Sequence, residues 1–315
     1  MSLKIGIVGL PNTGRSTLFN LLLKRQFSKV ADYPFTTTDS HTGVIEVPDE
    51  RVKNLASMLG AEKIFPATIQ FLDIAGLVKG SHHGQGLGND FLAHIREADA
   101  ILHVVRFFDH VRLHMTSEYA TKSVPHVMGS INPTRDIEVV KEELRLAGIK
   151  KPTLYLINID KTVANDKVTI EKLRQKLQFE MKIDKVIFSC VKNGENEDGN
   201  INTIIDHCFK LLNLIIFYTL NRGVLHAWSI KEGKTILEAI KETQADSNQN
   251  FPQVEVIGTA EILSLGNWQK AKEVGKVQKV EDDYLIQDGD IVSFQNENHA
   301  SSPVGNVPLA KGNPV

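Results

Sequence analysis

"GLPNTGRSTLFN", residues 9–20, decides how this chain is read. The pattern GxxxxGK[ST] uses two glycines so that backbone N–H groups can close around phosphates. It adds a lysine to reach the outer phosphates and a hydroxyl for magnesium. Gly9, Gly14 and Ser16 fit, and the lysine position holds Arg15. The apolar stretch "LKIGIVGL" before the loop predicts a strand, and "STLFNLLLKR" after it predicts a helix, which is the setting such a loop requires. That helix adds unpaired N–H groups and partial positive charge to the anion site. The spacing is not GxGxxG, which argues against a dinucleotide turn.

Outside this loop, short β-branched runs alternate with amphipathic stretches. "KIGIVG", "GVIEV", "ATIQFLD", "AILHVVRFF", "PTLYLIN" and "DKVIFS" predict strands, and "NPTRDIEVVKEELRLAG" a helix. The alternation predicts an α/β fold, a doubly wound, mainly parallel sheet over residues 1–212. From residue 213 to 296 the pattern changes. "VEVIGTAEIL" and "YLIQDGDIVSF" predict short strands around one modest helix, a smaller α+β domain. Residues 297–315, rich in Pro, Gly, Asn and Ser, predict a disordered tail.

Composition sets bounds. A chain of 315 residues with 42% hydrophobic residues and net charge −2 is too apolar to be disordered and long enough for two domains. Cys190 and Cys208 form no CxxC pair, so neither a disulfide framework nor a zinc site is expected, and a cytoplasmic location is. The N-terminal stretch has no basic leader, and "LLNLIIFYTL", residues 211–220, is too short to cross a bilayer, so no membrane association is expected.

Further on, "FLDIAG" ends a predicted strand in Asp73 and places Gly76 three residues later. In a P-loop nucleotidase such an Asp serves magnesium, and the Gly amide meets the γ-phosphate. "DYPFTTTDSHTG" between the two motifs offers a magnesium hydroxyl from a switch loop, Thr37 first and Thr36 next. Leu77 stands where many GTPases orient water with a glutamine, and a leucine cannot do that. His82 and His83 in "KGSHHGQGLGN" are weak replacements.

These stretches together resemble one family, the Obg-like ATPases of the YchF group. The resemblance rests on "GIVGLPNTGRSTLFN", "YPFTTTDSHTGVIEVPD", "FLDIAGLVKGSHHGQGLGNDFLAHIREADAILHVVR", "NPTRDIEVVKEEL", "KPTLYLIN", "HAWSI", "AKEVGK" and "DYLIQDGDIVSF". It implies a P-loop domain, a helical arm, a C-terminal TGS domain of the β-grasp type, ribosome association and a frequent preference for ATP over GTP. It also implies that His126, which precedes a Val-x-Gly stretch, positions water beside the hydrophobic switch residue Leu77. His114 is a weaker rival.

The chain departs from the family in several places. Arg15 replaces lysine, a planar fork in place of a point charge. In the base-reading loop "NIDK", residues 158–161, the fourth position is Lys161, which has donors and no acceptor and cannot read the donor edge of guanine. Asn158 remains for the purine, Asp160 could replace the missing acceptor if the loop shifts by one residue, and Ser189 and Cys190 would flank the base by backbone contact. "LAGIKKPTLYL" leaves no room for the helical arm. In the second domain Gln244 stands where the family has histidine, while Asp246 and Phe251 remain. Residues 213–296 hold eight Lys and Arg against twelve Asp and Glu, so strong non-specific nucleic-acid binding is not expected. The cluster Lys270, Lys272, Lys276 and Lys279 reads as a solvated helix face.

Two readings follow. In one the chain is a magnesium-dependent nucleoside triphosphatase for ATP or GTP, with slow or impaired hydrolysis, acting near the ribosome. Gly9, Asn12, Thr13, Gly14, Arg15, Ser16 and Thr17 then hold phosphates, Ser16, Thr37 and Asp73 hold Mg2+, and Asn158 meets the base. In the other it is an inactive relative that binds a protein or the ribosome. Arg15, Lys161 and the missing arm favour the second, and Ser16, Thr37, Asp73 and Gly76 the first.

Overall fold

The computed structural model describes residues 3–27, 41–74, 87–108, 130–191, 201–221, 223–243 and 253–295. Along the chain run β1 (Lys4–Val8), α1 (Arg15–Phe27), β2 (Thr42–Glu46), α2 (Arg51–Leu59), β3 (Lys63–Phe65), β4 (Thr68–Asp73), α3 (Leu87–Glu97), β5 (Ala100–Phe107), α4 (Pro133–Leu146), β6 (Thr153–Ile159), α5 (Lys161–Ala164), α6 (Lys167–Phe179), β7 (Val186–Ser189) and α7 (Ile201–Leu211). There follow β8 (Leu214–Asn221), β9 (Val224–Lys231), α8 (Ile236–Thr243), β10 (Gln253–Gly258), α9 (Thr259–Leu265), α10 (Trp268–Glu273), β11 (Gln278–Val280) and β12 (Asp290–Gln295).

One compact unit comprises Ser2–Glu46 and Ile69–Leu212. Its sheet has the order β2-β4-β1-β5-β6-β7, built from the six strands expected from sequence. β1 runs parallel to β4 and β5, β5 to β6, and β6 to β7. Every residue of β5 from Ala100 to Arg106 is buried, the pattern of a strand covered on both faces. Val8, Ile74 and Ile101 pack with Leu92 and Ile95 of α3 and Val140 and Leu144 of α4. Val105, Ile157 and Ile159 pack with Ile137 of α4 and Leu173 and Leu177 of α6. Each fully buried aliphatic side chain contributes about 1.5–3 kcal/mol. Asn132 starts α4 by accepting from the Arg135 N–H at 3.2 Å, with Pro133 in the first turn, where its missing N–H costs nothing. Residues 147–152 alone link α4 to β6, so no helical arm is inserted there.

The other unit joins Val47–Thr68 to Asn213–Val315. Its sheet has the order β11-β10-β12-β8-β9-β3. The first and last strands of the C-terminal segment, β8 and β12, pair in parallel, while β8 with β9 and β12 with β10 are antiparallel. This is a small mixed sheet of the TGS, β-grasp kind. Ile236 and Ala239 of α8 pack on Ile215, Phe217, Val254, Val256 and Val292.

Two details differ from the sequence reading. The division at residue 212 does not anticipate that Val47–Thr68 clusters with the C-terminal segment. Arg51 explains much of this: its guanidinium bonds Asp49 at 2.9 Å and Asp288 at 2.6 Å, and the Tyr218 hydroxyl donates to Asp49. Asp288 also accepts the Ile216 N–H at 2.9 Å, so one ionic cluster joins the segment to β8. In addition β3 pairs in parallel with β9. The second difference concerns "VEVIGTAEIL". Its strand stops at Gly258, the N-cap of α9, and Thr259 begins a helix whose hydroxyl donates to the Gly289 carbonyl. "YLIQDGDIVSF" likewise becomes a strand only from Asp290.

Two expectations can be measured. Tyr218→Phe removes one of two donors to Asp49 Oδ2, Arg51 Nη2 at 3.2 Å being the other, and should cost about 0.5–1.5 kcal/mol in denaturant unfolding, against no change if the contact is incidental. His103, enclosed in β5 with its ring 5.4 Å from that of Tyr155, has its pKa lowered by burial to about 3. The unfolded chain therefore takes up a proton near 6.5 that the fold refuses, so stability should fall as pH drops from about 6.5 towards 3. Melting curves of His103→Phe across that window should show a shallower fall than the wild type, and an identical slope would refute the assignment.

Candidate nucleotide-binding site

The strand order reverses at β1, whose neighbours β4 and β5 lead to opposite sides of the sheet. In open α/β sheets the crevice beyond the carboxyl ends at such a reversal is where ligands bind. The loop of residues 9–14 leaves β1 there, and the β1–β4 register sets Ile7 beside Asp73.

Close approaches explain the two glycines. A Cβ on Gly9 would lie 2.4 Å from the Val104 carbonyl oxygen. Gly14 has φ +96°, and a Cβ there would lie 2.4 Å from Nδ2 of Asn158. Asn12 also has positive φ, 66°, which asparagine tolerates better than most residues. Thr13 is buried, and its hydroxyl donates to the Leu10 carbonyl at 3.0 Å, bracing the loop from inside. The Leu18 N–H bonds the Gly14 carbonyl at 2.9 Å and starts α1, leaving Ser16 and Thr17 exposed in its first turn.

Asn158 is buried and holds two backbone partners. Its Nδ2 donates to the Thr13 carbonyl at 2.9 Å, and its Oδ1 accepts the Val191 N–H at 3.1 Å. It therefore clips the phosphate loop to the residues that follow β7, a role no sequence signal marks because both partners are backbone atoms. Asp160 is the N-cap of α5, its carboxylate accepting the Val163 N–H at 2.8 Å, so this oxygen is engaged. Lys161 is exposed. Ser189 lies beside Asn158 in the β6–β7 register, buried, with its Oγ making no hydrogen bond among the described residues. Cys190 is half-buried and free.

Arg15 lies over the end of β4. Its guanidinium donates to the Ile74 carbonyl and stands 4.0 Å from Oδ1 of Asp73, with the two side chains 12% and 16% exposed. Burial lowers the Arg15 pKa from its ordinary value, and the Asp73 charge opposes that shift. Asp73 Oδ1 is itself buried and makes no hydrogen bond among the described residues. A buried carboxylate oxygen is a hard ligand of the kind that divalent cations take.

Thr36, Thr37, Gly76, Leu77, His82, His83, His114, His126, Gln244, Asp246 and Phe251 lie outside the described residues. Of the lysine cluster, Lys272 pairs with Glu255 at 2.8 Å and Lys276 with Glu261 at 3.0 Å. Among the described residues no group of three or more His, Cys, Asp and Glu side chains could hold a metal ion, and no helix is long and apolar enough to cross a membrane.

The clip can be tested by mutation. Asn158→Ala strands the Thr13 carbonyl and the Val191 N–H in the interior and should cost about 1–3 kcal/mol of stability by denaturant titration. Gly14→Ala should impair the loop more than Ser16→Ala, because only the first forces Asn158 to move.

Two family models match the chain: "50S ribosome-binding GTPase" over residues 4–159, and the YchF GTPase C-terminal family over residues 214–297. A ribosome-binding ATPase YchF of Haemophilus ducreyi is 30% identical, the alignment covering 94% of this chain and 99% of that protein. That of Bacillus subtilis is 29% identical over 94% and 99%. The alignment with the Haemophilus ducreyi protein spans 374 positions, more than the 315 residues here, so that relative carries stretches with no counterpart in this chain. A solved structure, the Schizosaccharomyces pombe YchF GTPase, superposes with a TM-score of 0.75 at 23% identity over 93% of this chain and 98% of that one, a likeness of fold. With a P-loop domain and a YchF C-terminal domain in one order along one chain, the protein belongs to the YchF family of Obg-like P-loop proteins.

Proposed function

We propose that the chain binds a purine nucleoside triphosphate with magnesium, hydrolyses it slowly or not at all, and works at the ribosome. The observation that carries this reading is the braced glycine loop at the sheet's reversal point, with Asp73 beside it holding an oxygen that makes no hydrogen bond among the described residues. The N–H groups of the loop and of the first turn of α1 suit phosphate oxygens, with Gly9, Asn12, Thr13, Gly14, Arg15, Ser16 and Thr17 contributing. Ser16 and Asp73 supply oxygens for magnesium, joined in this reading by Thr37. The ion, when bound, neutralises charge that develops on the transferred phosphoryl group. Gly76 meets the γ-phosphate, and His126 beside Leu77 positions water.

Slow turnover is inferred from two residues. Phosphoryl transfer depends on placement, and Arg15 is held by Ile74 and Asp73. Leu77 brings no polar atom to water. On the base side Lys161 offers no acceptor for guanine and Asp160 caps a helix, which favours adenine. The ribosome enters through the relatives, which are named ribosome-binding ATPases. A second reading, a binding module without turnover, is favoured by the same hold on Arg15 and by the direct passage from α4 to β6 where the family carries its arm.

Calorimetric titration with hydrolysis-resistant ATP and GTP analogues in magnesium separates these readings from a degenerate loop. Micromolar binding, about −8 kcal/mol, is expected with ATP ahead, and it should weaken in Asp73→Ala. Absence of heat and of thermal stabilisation with both nucleotides would rule out nucleotide binding and leave the ribosome as the ligand to pursue.

A further inference from the structure

The residues around Asp73 present a conflict. Its buried Oδ1 fits a divalent cation, yet a cation is already close: the Arg15 guanidinium, 4.0 Å away and anchored by its hydrogen bond to the Ile74 carbonyl. At that separation the carboxylate gains charge neutralisation without a hydrogen bond. The planar fork makes this arrangement accessible, since one face of the guanidinium serves a backbone carbonyl while the charge stays near the carboxylate. Both side chains are largely shielded from water, so the attraction is poorly screened.

We propose that Arg15 is an internal cation for Asp73, and that magnesium and the guanidinium compete for this carboxylate. The inference rests on the reading of the loop as a nucleotide site. Nucleotide-free protein keeps the pair closed. Entry of a magnesium–triphosphate requires Arg15 to leave Asp73, towards the phosphates, because a divalent ion and a guanidinium on one carboxylate repel each other. Part of the charge that magnesium supplies is therefore already present. Magnesium strengthens triphosphate binding less here than it does when the loop carries a compact lysine.

Two measurements test this together. The first needs no nucleotide: melting temperatures of Arg15→Gln, Asp73→Asn and the double variant. Coupling between the positions is expected, with the double variant melting well above the sum of the two single losses, and strictly additive losses would overturn the pairing. The second is the affinity of a fluorescent, hydrolysis-resistant ATP analogue in magnesium and in chelator, for wild type and Arg15→Lys. The gain from magnesium should be at least about tenfold larger in Arg15→Lys, the scale of one hydrogen bond to a charged group. Equal gains, with binding intact, overturn the competition while leaving the nucleotide reading in place. Binding by neither protein, in either medium, overturns both.

Discussion

The hydrogen bond from Asn158 Nδ2 to the Thr13 carbonyl joins residues 145 positions apart, and the geometry of the phosphate loop depends on it. The same side chain accepts from Val191, so one buried carboxamide sets the loop after β1 against the residue two places beyond β7. Its position demands a residue without Cβ at Gly14, where any side chain would collide with Nδ2. Because the loop is fixed from its inner side, Ser16 and Thr17 are left facing solvent at the start of α1, available to an anion. The stretch "NIDK" thus holds a structural clip in Asn158 and, at Lys161, a side chain with no acceptor for the donor edge of guanine.

The exchange of lysine for arginine has consequences that follow from shape more than charge. A lysine ammonium on a thin stem turns towards phosphates with three equivalent donors, whereas a guanidinium must lay a rigid plane against its acceptors. In this fold the plane settles on the Ile74 carbonyl near Asp73, at the end of β4. Both groups stay in the crevice where a nucleotide would lie, but they face each other. Arg15 is therefore engaged at the end of β4, which the loop's pattern does not suggest.

Much of this was legible in the sequence because the signals were local. Six β-branched runs became the six strands of the first sheet, and the Asn-Pro start and apolar spacing of α4 marked that helix. The glycine loop and Asp73 were readable for the same reason: each is a short pattern following a strand. What escaped was long-range or made by backbone atoms. Nothing near Arg51 reveals that its partner Asp288 lies 237 residues away, so the excursion of Val47–Thr68 into the C-terminal unit was invisible. Asn158 was read for a purine contact, and its clip between Thr13 and Val191 went unseen because both partners are backbone atoms. "VEVIGTAEIL" misled because an apolar run does not show where a strand turns into a helix, and only the cap at Gly258 divides it.

The crevice also retains two buried polar atoms without hydrogen bonds among the described residues, Asp73 Oδ1 and Ser189 Oγ. A buried polar atom left unpaired costs about 1–3 kcal/mol, and for Asp73 the Arg15 guanidinium at 4.0 Å offsets part of that. They stand on strands that share the same end of the sheet, Asp73 beside β1 and Ser189 beside Asn158. A ligand that brings a cation to Asp73 Oδ1 or a donor to Ser189 Oγ would offset the remainder. Arg15 and Lys161 depart from the phosphate and base patterns, while these two oxygens keep the carboxyl ends of β4 and β7 polar.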